Sequence, residues 1–95
     1  MAAYLVAKVS VTDPVAFEAY RLQVPAVVAA HGGRYLARGG AIEWLEGETA
    51  PNRVVIIEFA GMAQLKAFYH SAAYRPLLEI RQRAARTSAF AVEGV

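Results

Sequence analysis

Ninety-five residues suit one folded domain, and 57% of them are hydrophobic against a net charge of only +2. Ten basic and eight acidic side chains balance too evenly to imply a nucleic-acid partner. No apolar run nears the roughly 18 residues that cross a bilayer, and the lack of cysteine rules out disulfides, thiol nucleophiles and thiolate metal sites.

The first expected element is a strand over residues 3–11, AYLVAKVSV. Tyr4 and Val6 fall on one face, and Leu5, Ala7, Val9 and Val11 on the other, so both faces are apolar. Thr12-Asp13-Pro14 then reads as a helix start, with a capping side chain followed by a proline in the first turn. Phe17, Tyr20, Val24, Val27, Val28 and His31 share one face of that helix, and Glu18 and Arg21 lie on the other. Pro25 lies inside it and is expected to kink or split it.

Gly32-Gly33 ends the helix. Residues 34–38 read as a strand interrupted by Gly39-Gly40 and resumed over 41–46, AIEWLE; the double glycine suggests a bulge or bend. Residues 47–52 are a loop, and Arg53-Val54-Val55-Ile56-Ile57-Glu58-Phe59 is the clearest strand, the second arm of a hairpin. Gly61 opens a helix with Met62, Leu65, Phe68 and Tyr69 on one face. Ser71 caps a second segment carrying Tyr74, Leu77, Leu78, Ile80 and Ala84, and residues 88–94 are the last strand.

The order is β-α-β-β-α-β, an α+β ferredoxin-like motif with an antiparallel sheet and its helices on one face. A chain this short buries only about 60–65% of its unfolded surface, and its apolar share exceeds the roughly 45–50% of an ordinary domain. The uncovered sheet face is the natural place for that surplus, and a second copy packed sheet on sheet would cover it. A homodimer is therefore expected. MAAYLVAKVS lacks the layout of a signal peptide, and the absence of cysteine fits a reducing cytoplasm.

His31-Gly32-Gly33-Arg34-Tyr35-Leu36-Ala37-Arg38-Gly39-Gly40, the Leu45-Glu46-Gly47 turn, residues 51–59 (PNRVVIIEF) and residues 69–77 (YHSAAYRPL) together resemble domain-of-unknown-function family 1330. The resemblance spans nearly the whole chain. It implies the dimeric α+β barrel architecture and no established activity. The wider superfamily contains cofactor-free monooxygenases, small isomerases, dehalogenase-like and haem-handling proteins, and transfer of any of those chemistries rests on fold alone.

Among single residues, Arg81 falls on the apolar helix face between Tyr74, Leu77, Leu78 and Ala84. A charge there needs a partner or a cavity; the alternative is a packed stem whose head reaches water. Glu58 shares a face with Val54 and Ile56 and is a candidate base, or else an ion-pair partner of Lys8, Arg38 or Arg81. Arg38 precedes the Gly39-Gly40 bend, where a guanidinium beside free amides can grip a carboxylate or phosphate; solvated strand-edge charge is the alternative. His31 is a helix C-cap or a proton carrier. Tyr20, Tyr69, Tyr74, Phe68 and Trp44 are core residues, some of which could line a pocket where a planar molecule stacks.

No metal-binding pattern or nucleotide loop occurs, so no cofactor is implied. RNA-recognition domains share the strand order, but the clearest strand here lacks the aromatic residues that stack bases. The expectation is a cytoplasmic homodimer with a partly apolar pocket and no nucleic-acid or membrane partner. If it is an enzyme, it is monooxygenase- or isomerase-like and acts without cofactor on a small organic acid or aromatic. Arg38, Gly39 or Arg81 would hold the anion, Glu58 or His31 would move a proton, and Tyr69 and Tyr74 would shape the pocket. The competing expectation is a non-catalytic small-molecule-binding or stress-associated module. A weaker one has Arg75, Arg83 and Arg86 docking an acidic partner.

Overall fold

The structure, a computed structural model, describes residues 1–48 and 52–95. β1 spans Ala3–Val11, and its burial alternates: Ala3, Leu5, Ala7 and Val9 are buried while Tyr4, Val6 and Lys8 are not. Odd positions therefore meet the helices, as the period of two in a strand requires. Asp13 starts α1 (Pro14–Ala30) by accepting a 3.2 Å hydrogen bond from the Ala16 amide. Phe17, Val24 and Val28 are the buried stripe of this helix. It ends at Gly32, whose φ of +74° suits a residue without a Cβ.

β2 (Arg34–Arg38) pairs with β3 (Arg53–Phe59), and β3 pairs with β1. α2 (Met62–Tyr69) and α3 (Arg75–Ala84) follow, joined by a turn in which the Ser71 hydroxyl donates to the Phe68 carbonyl and accepts from the Tyr74 amide. β4 (Ala85–Glu93) returns along β1. The sheet order is β2-β3-β1-β4 with every described pairing antiparallel, the ferredoxin-like arrangement. Between sheet and helices the larger buried cluster is built around Leu5, Val28, Ile57, Phe59, Phe68 and Tyr74, and a smaller one around Ala7, Val9, Phe17, Ala84 and Ala85.

Three local expectations change. Pro25 does not split α1, which runs unbroken through it. Residues 41–46 do not resume the strand: β2 stops at Arg38, Gly39 turns the chain at φ +70°, and its amide makes the last bond to the Val54 carbonyl. Beyond that point the segment has no strand alongside it among the described residues, and a strand without a neighbour does not form. The bulge lies earlier, between Tyr35 and Ala37. β4 begins at Ala85 rather than at residue 88, because the chain passes from the α3 helix into extended backbone in one step, and the amides of Thr12 and Asp13 fix the Ala84 carbonyl at that corner. Of the expected loop over 47–52, residues 49–51 lie outside the described residues.

The sheet face turned away from the helices carries Tyr4, Val6, Val54, Ile56, Phe90 and Val92. Phe90 and Val92 are 49% and 46% exposed. No described helix is long and apolar enough to cross a membrane.

Candidate functional site

A cleft opens between α1, α3 and the helix-side face of the sheet. Its walls are apolar: Leu5, Ala7, Val9, Phe17, Val55 and Phe68 line it. It encloses about 500 Å³ of space counting the solvent at its mouth, of which the centre of a water molecule can visit about 30 Å³. That inner room suits one or two waters, so the cleft is narrow in this state.

The polar groups in it are tyrosines and arginines. The Tyr20 and Tyr74 hydroxyls lie 2.8 Å apart. Arg81, only 6% exposed, donates from Nη1 to the Tyr74 hydroxyl at 3.0 Å and from Nη2 to the Tyr69 hydroxyl at 3.4 Å. Its Nε is buried without a partner. Burial works against the Arg81 cation, but the phenols of Tyr74, Tyr20 and Tyr69 outweigh it, and the guanidinium holds its proton more firmly than an ordinary arginine. Burial pushes the Tyr74 hydroxyl strongly upward, with Tyr20 adding to the effect, and burial likewise raises Tyr35. The Tyr74 and Tyr35 phenols are therefore neutral hydrogen-bonding groups, not bases.

Two further arginines reach the cleft from the sheet. Arg38 lies 4.9 Å from the centre of the Tyr35 ring, and its Nη2 donates to the Arg21 carbonyl at 2.6 Å. Pro25, four residues after Arg21, has no N–H to bond that carbonyl, so the guanidinium takes the place of the missing helix donor. Arg53 lies over the Phe17 ring at 5.6 Å, and its Nε is buried and unpartnered. Gly39 makes room for it: a Cβ there would overlap the Arg53 guanidinium. Arg21 also lines the cleft but pairs with Glu18 on its own helix. Among the described residues, no aspartate or glutamate lines the cleft.

The structure thus brings Arg38, Tyr74 and Arg81 to one cleft, with Gly39 at its edge and Tyr69 behind Arg81. It does not bring His31 or Glu58 there. The His31 Nδ1 lies 2.9 Å from the Val27 carbonyl at the end of α1, and its ring meets Phe68 edge-on. Glu58 points from the opposite face of the sheet and pairs at 2.7 Å with Arg34, rather than with Lys8, Arg38 or Arg81. The reason is parity: Glu58 alternates with Ile57 and Phe59, which face the core. Arg53 was not singled out from the sequence. The signal was there, since it shares a face with Val55 and Ile57 and so points inward with them.

Solved structures share this fold. A protein of unknown function from Rhodopseudomonas palustris superposes with a TM-score of 0.81 at 18% identity, over 99% of this chain and 82% of its own. SnoaB, a cofactor-independent oxygenase from Streptomyces nogalater, gives 0.69 at 14% identity, over 99% and 93%. A dimeric ferredoxin-like protein of unknown function from Jannaschia sp. gives 0.68 at 11%, over 99% and 100%. At these identities the likeness shows the fold alone. No curated protein matches the chain. The family described as "Domain of unknown function (DUF1330)" matches residues 2–95, and the chain belongs to that family.

Proposed function

We propose that the protein is a homodimer whose cleft binds a small organic anion with an apolar or aromatic body. One observation carries the reading. Arg38, Arg53 and Arg81 converge on a space with apolar walls that no carboxylate lines. Among the described residues, Glu18, paired with Arg21, is the one carboxylate whose charge reaches Arg38 and Arg53, and four cleft arginines outnumber it, which favours an anionic ligand. Phe17, Tyr20, Tyr35 and Phe68 supply rings for a planar body to pack against. Admission of such a ligand requires the cleft to widen beyond its room for one or two waters.

The dimer reading rests on the open sheet face, an apolar surface that the chain's own helices leave bare. The neighbour from Jannaschia sp. is described as dimeric. Two such faces packed together would complete a barrel-like core.

The catalytic form of the reading is cofactor-free turnover of the bound acid, of the monooxygenase or isomerase kind, with the arginines stabilising an anion as it develops. The fold shared with SnoaB supports it. A binding module that holds the anion unchanged is the second reading. It is favoured by the absence of any imidazole or carboxylate among the lining residues, which leaves no ordinary general base.

A thermal-shift screen of aromatic and aliphatic acids against their neutral amides tests the common part. Stabilisation by acids and not by amides is expected, and equal effects from both would remove the anion reading. Turnover of a hit under oxygen without added cofactor selects the enzyme, and binding without turnover selects the module.

A further inference from the structure

The hydrogen bonds in the cleft do not balance. A phenol has one proton to give, and a guanidinium only gives. Arg81 donates to Tyr74 through Nη1 and to Tyr69 through Nη2, so both hydroxyls accept there. The remaining bond of this run joins the Tyr20 and Tyr74 hydroxyls at 2.8 Å. It uses one of their two protons, whichever ring donates. Neither hydroxyl has another partner among the described residues, so the second proton is always left over.

That surplus lies where a ligand would sit. Tyr20, Tyr74 and Arg81 all line the cleft, and Tyr74 is only 1% exposed. Reversing the bond inside the pair does not remove the free proton; it only moves it from one ring to the other. A donor held in such apolar surroundings calls for an acceptor.

A ligand's carboxylate alone does not meet this demand. Arg38, Arg53 and Arg81 already bring more N–H groups to the cleft than two carboxylate oxygens accept. The phenol proton needs an oxygen of its own, and one that carries no proton, because a further donor adds to the surplus. The place of that oxygen is beside the carboxylate. Tyr74 accepts from Arg81 at 3.0 Å, so the tyrosine pair and that guanidinium are direct neighbours. An oxygen on the carbon next to the carboxylate reaches the pair while the carboxylate stays on the arginines.

We infer that the cleft selects 2-oxo acids, with the oxo oxygen accepting from the Tyr20–Tyr74 pair. The inference rests on the anion site proposed above and names its ligand class. A 2-hydroxy acid takes the phenol proton too, but brings a proton of its own. An acid with a plain methylene at that carbon leaves the phenol unmatched. A site built to hydrogen-bond an oxygen discriminates strongly against the analogue that lacks it.

Phenylglyoxylate, mandelate and phenylacetate share one skeleton and differ only at that carbon. Calorimetry on the wild-type protein should rank them in that order, with about a tenfold or larger gap in Kd between the first and the last. The keto stretch of isotope-labelled phenylglyoxylate should move to lower frequency on binding. The tyrosines are tested together, because Tyr20→Phe or Tyr74→Phe alone still leaves one free phenol proton. Each single variant should keep part of the ranking, and the double variant should bind the three acids alike. The infrared shift in the wild type decides the matter if the double variant does not fold. Equal Kd values for the three acids with an unshifted keto stretch overturn the 2-oxo selection and leave the anion site standing. A double variant that keeps the full ranking overturns the assignment to the phenols. No binding of any acid to the wild type overturns both the selection and the anion site.

Discussion

The Nη2 atom of Arg38, on β2, lies 2.6 Å from the main-chain carbonyl of Arg21, in the middle of α1. That carbonyl is the one Pro25 leaves without a helix donor. A strand side chain thus repairs a helix, and it anchors one of the four cleft arginines in doing so. Arg38→Ala should cost about 1–3 kcal/mol, the penalty of an unsatisfied acceptor. In a Pro25→Ala background the restored amide takes the Arg21 carbonyl, and the cost should shrink. Denaturant unfolding of the four proteins measures the coupling, and equal costs in both backgrounds would show that the contact is incidental.

Arg81 supports a second prediction. It is buried among phenols with no carboxylate among the lining residues, and its Nε has no partner, so its site is incompletely satisfied. Arg81→Met keeps the stem volume and removes the cation. Burying a cation costs several kcal/mol of lost hydration, a cost the methionine does not carry. The variant should melt no lower than wild type while losing its stabilisation by organic acids. A sharp fall in Tm would assign Arg81 a structural role instead.

The tyrosine cluster sets the alkaline limit. Burial raises the Tyr74 hydroxyl well above the ordinary 10.0. The unfolded chain therefore releases this proton first. The stability tied to the neutral phenol is fully present below about pH 10 and is lost as pH climbs above it. Tyr74→Phe should flatten that decline. Ultraviolet titration should show the Tyr74 phenol ionising only with unfolding.

Much of the fold was legible because it depends on local pattern. Asp13-Pro14 starts α1, Gly32 ends it, and the alternation in β1 and β3 sets their faces. Residues 41–46 show the limit. Their side chains suit a strand, but pairing is a property of the neighbour, and among the described residues β3 offers none beyond Arg53. Pro25 shows another limit: its effect was decided by an arginine thirteen residues away in sequence. Within the site, Arg81 was legible because a charge interrupts an apolar helix stripe. Glu58 was misleading because a charge in an apolar strand marks either face equally well until the sheet assigns them.

The Arg34–Glu58 pair is largely solvent-exposed on the arginine side. Glu58→Gln should change stability by no more than about 1 kcal/mol. Because the residue lies across the sheet from the cleft, the acid-induced rise in Tm should persist in this variant. Loss of that rise would bring the carboxylate back into the binding account.

The most direct test is the position of an anion in a crystal. A soak with 4-bromobenzoate marks the ligand by the anomalous signal of bromine. The carboxylate is predicted among Arg38, Arg53 and Arg81, with the ring against Phe17 and Tyr20. Bromine only outside the cleft, or at no ordered site when the acid saturates the thermal shift, would contradict the cleft as the anion site.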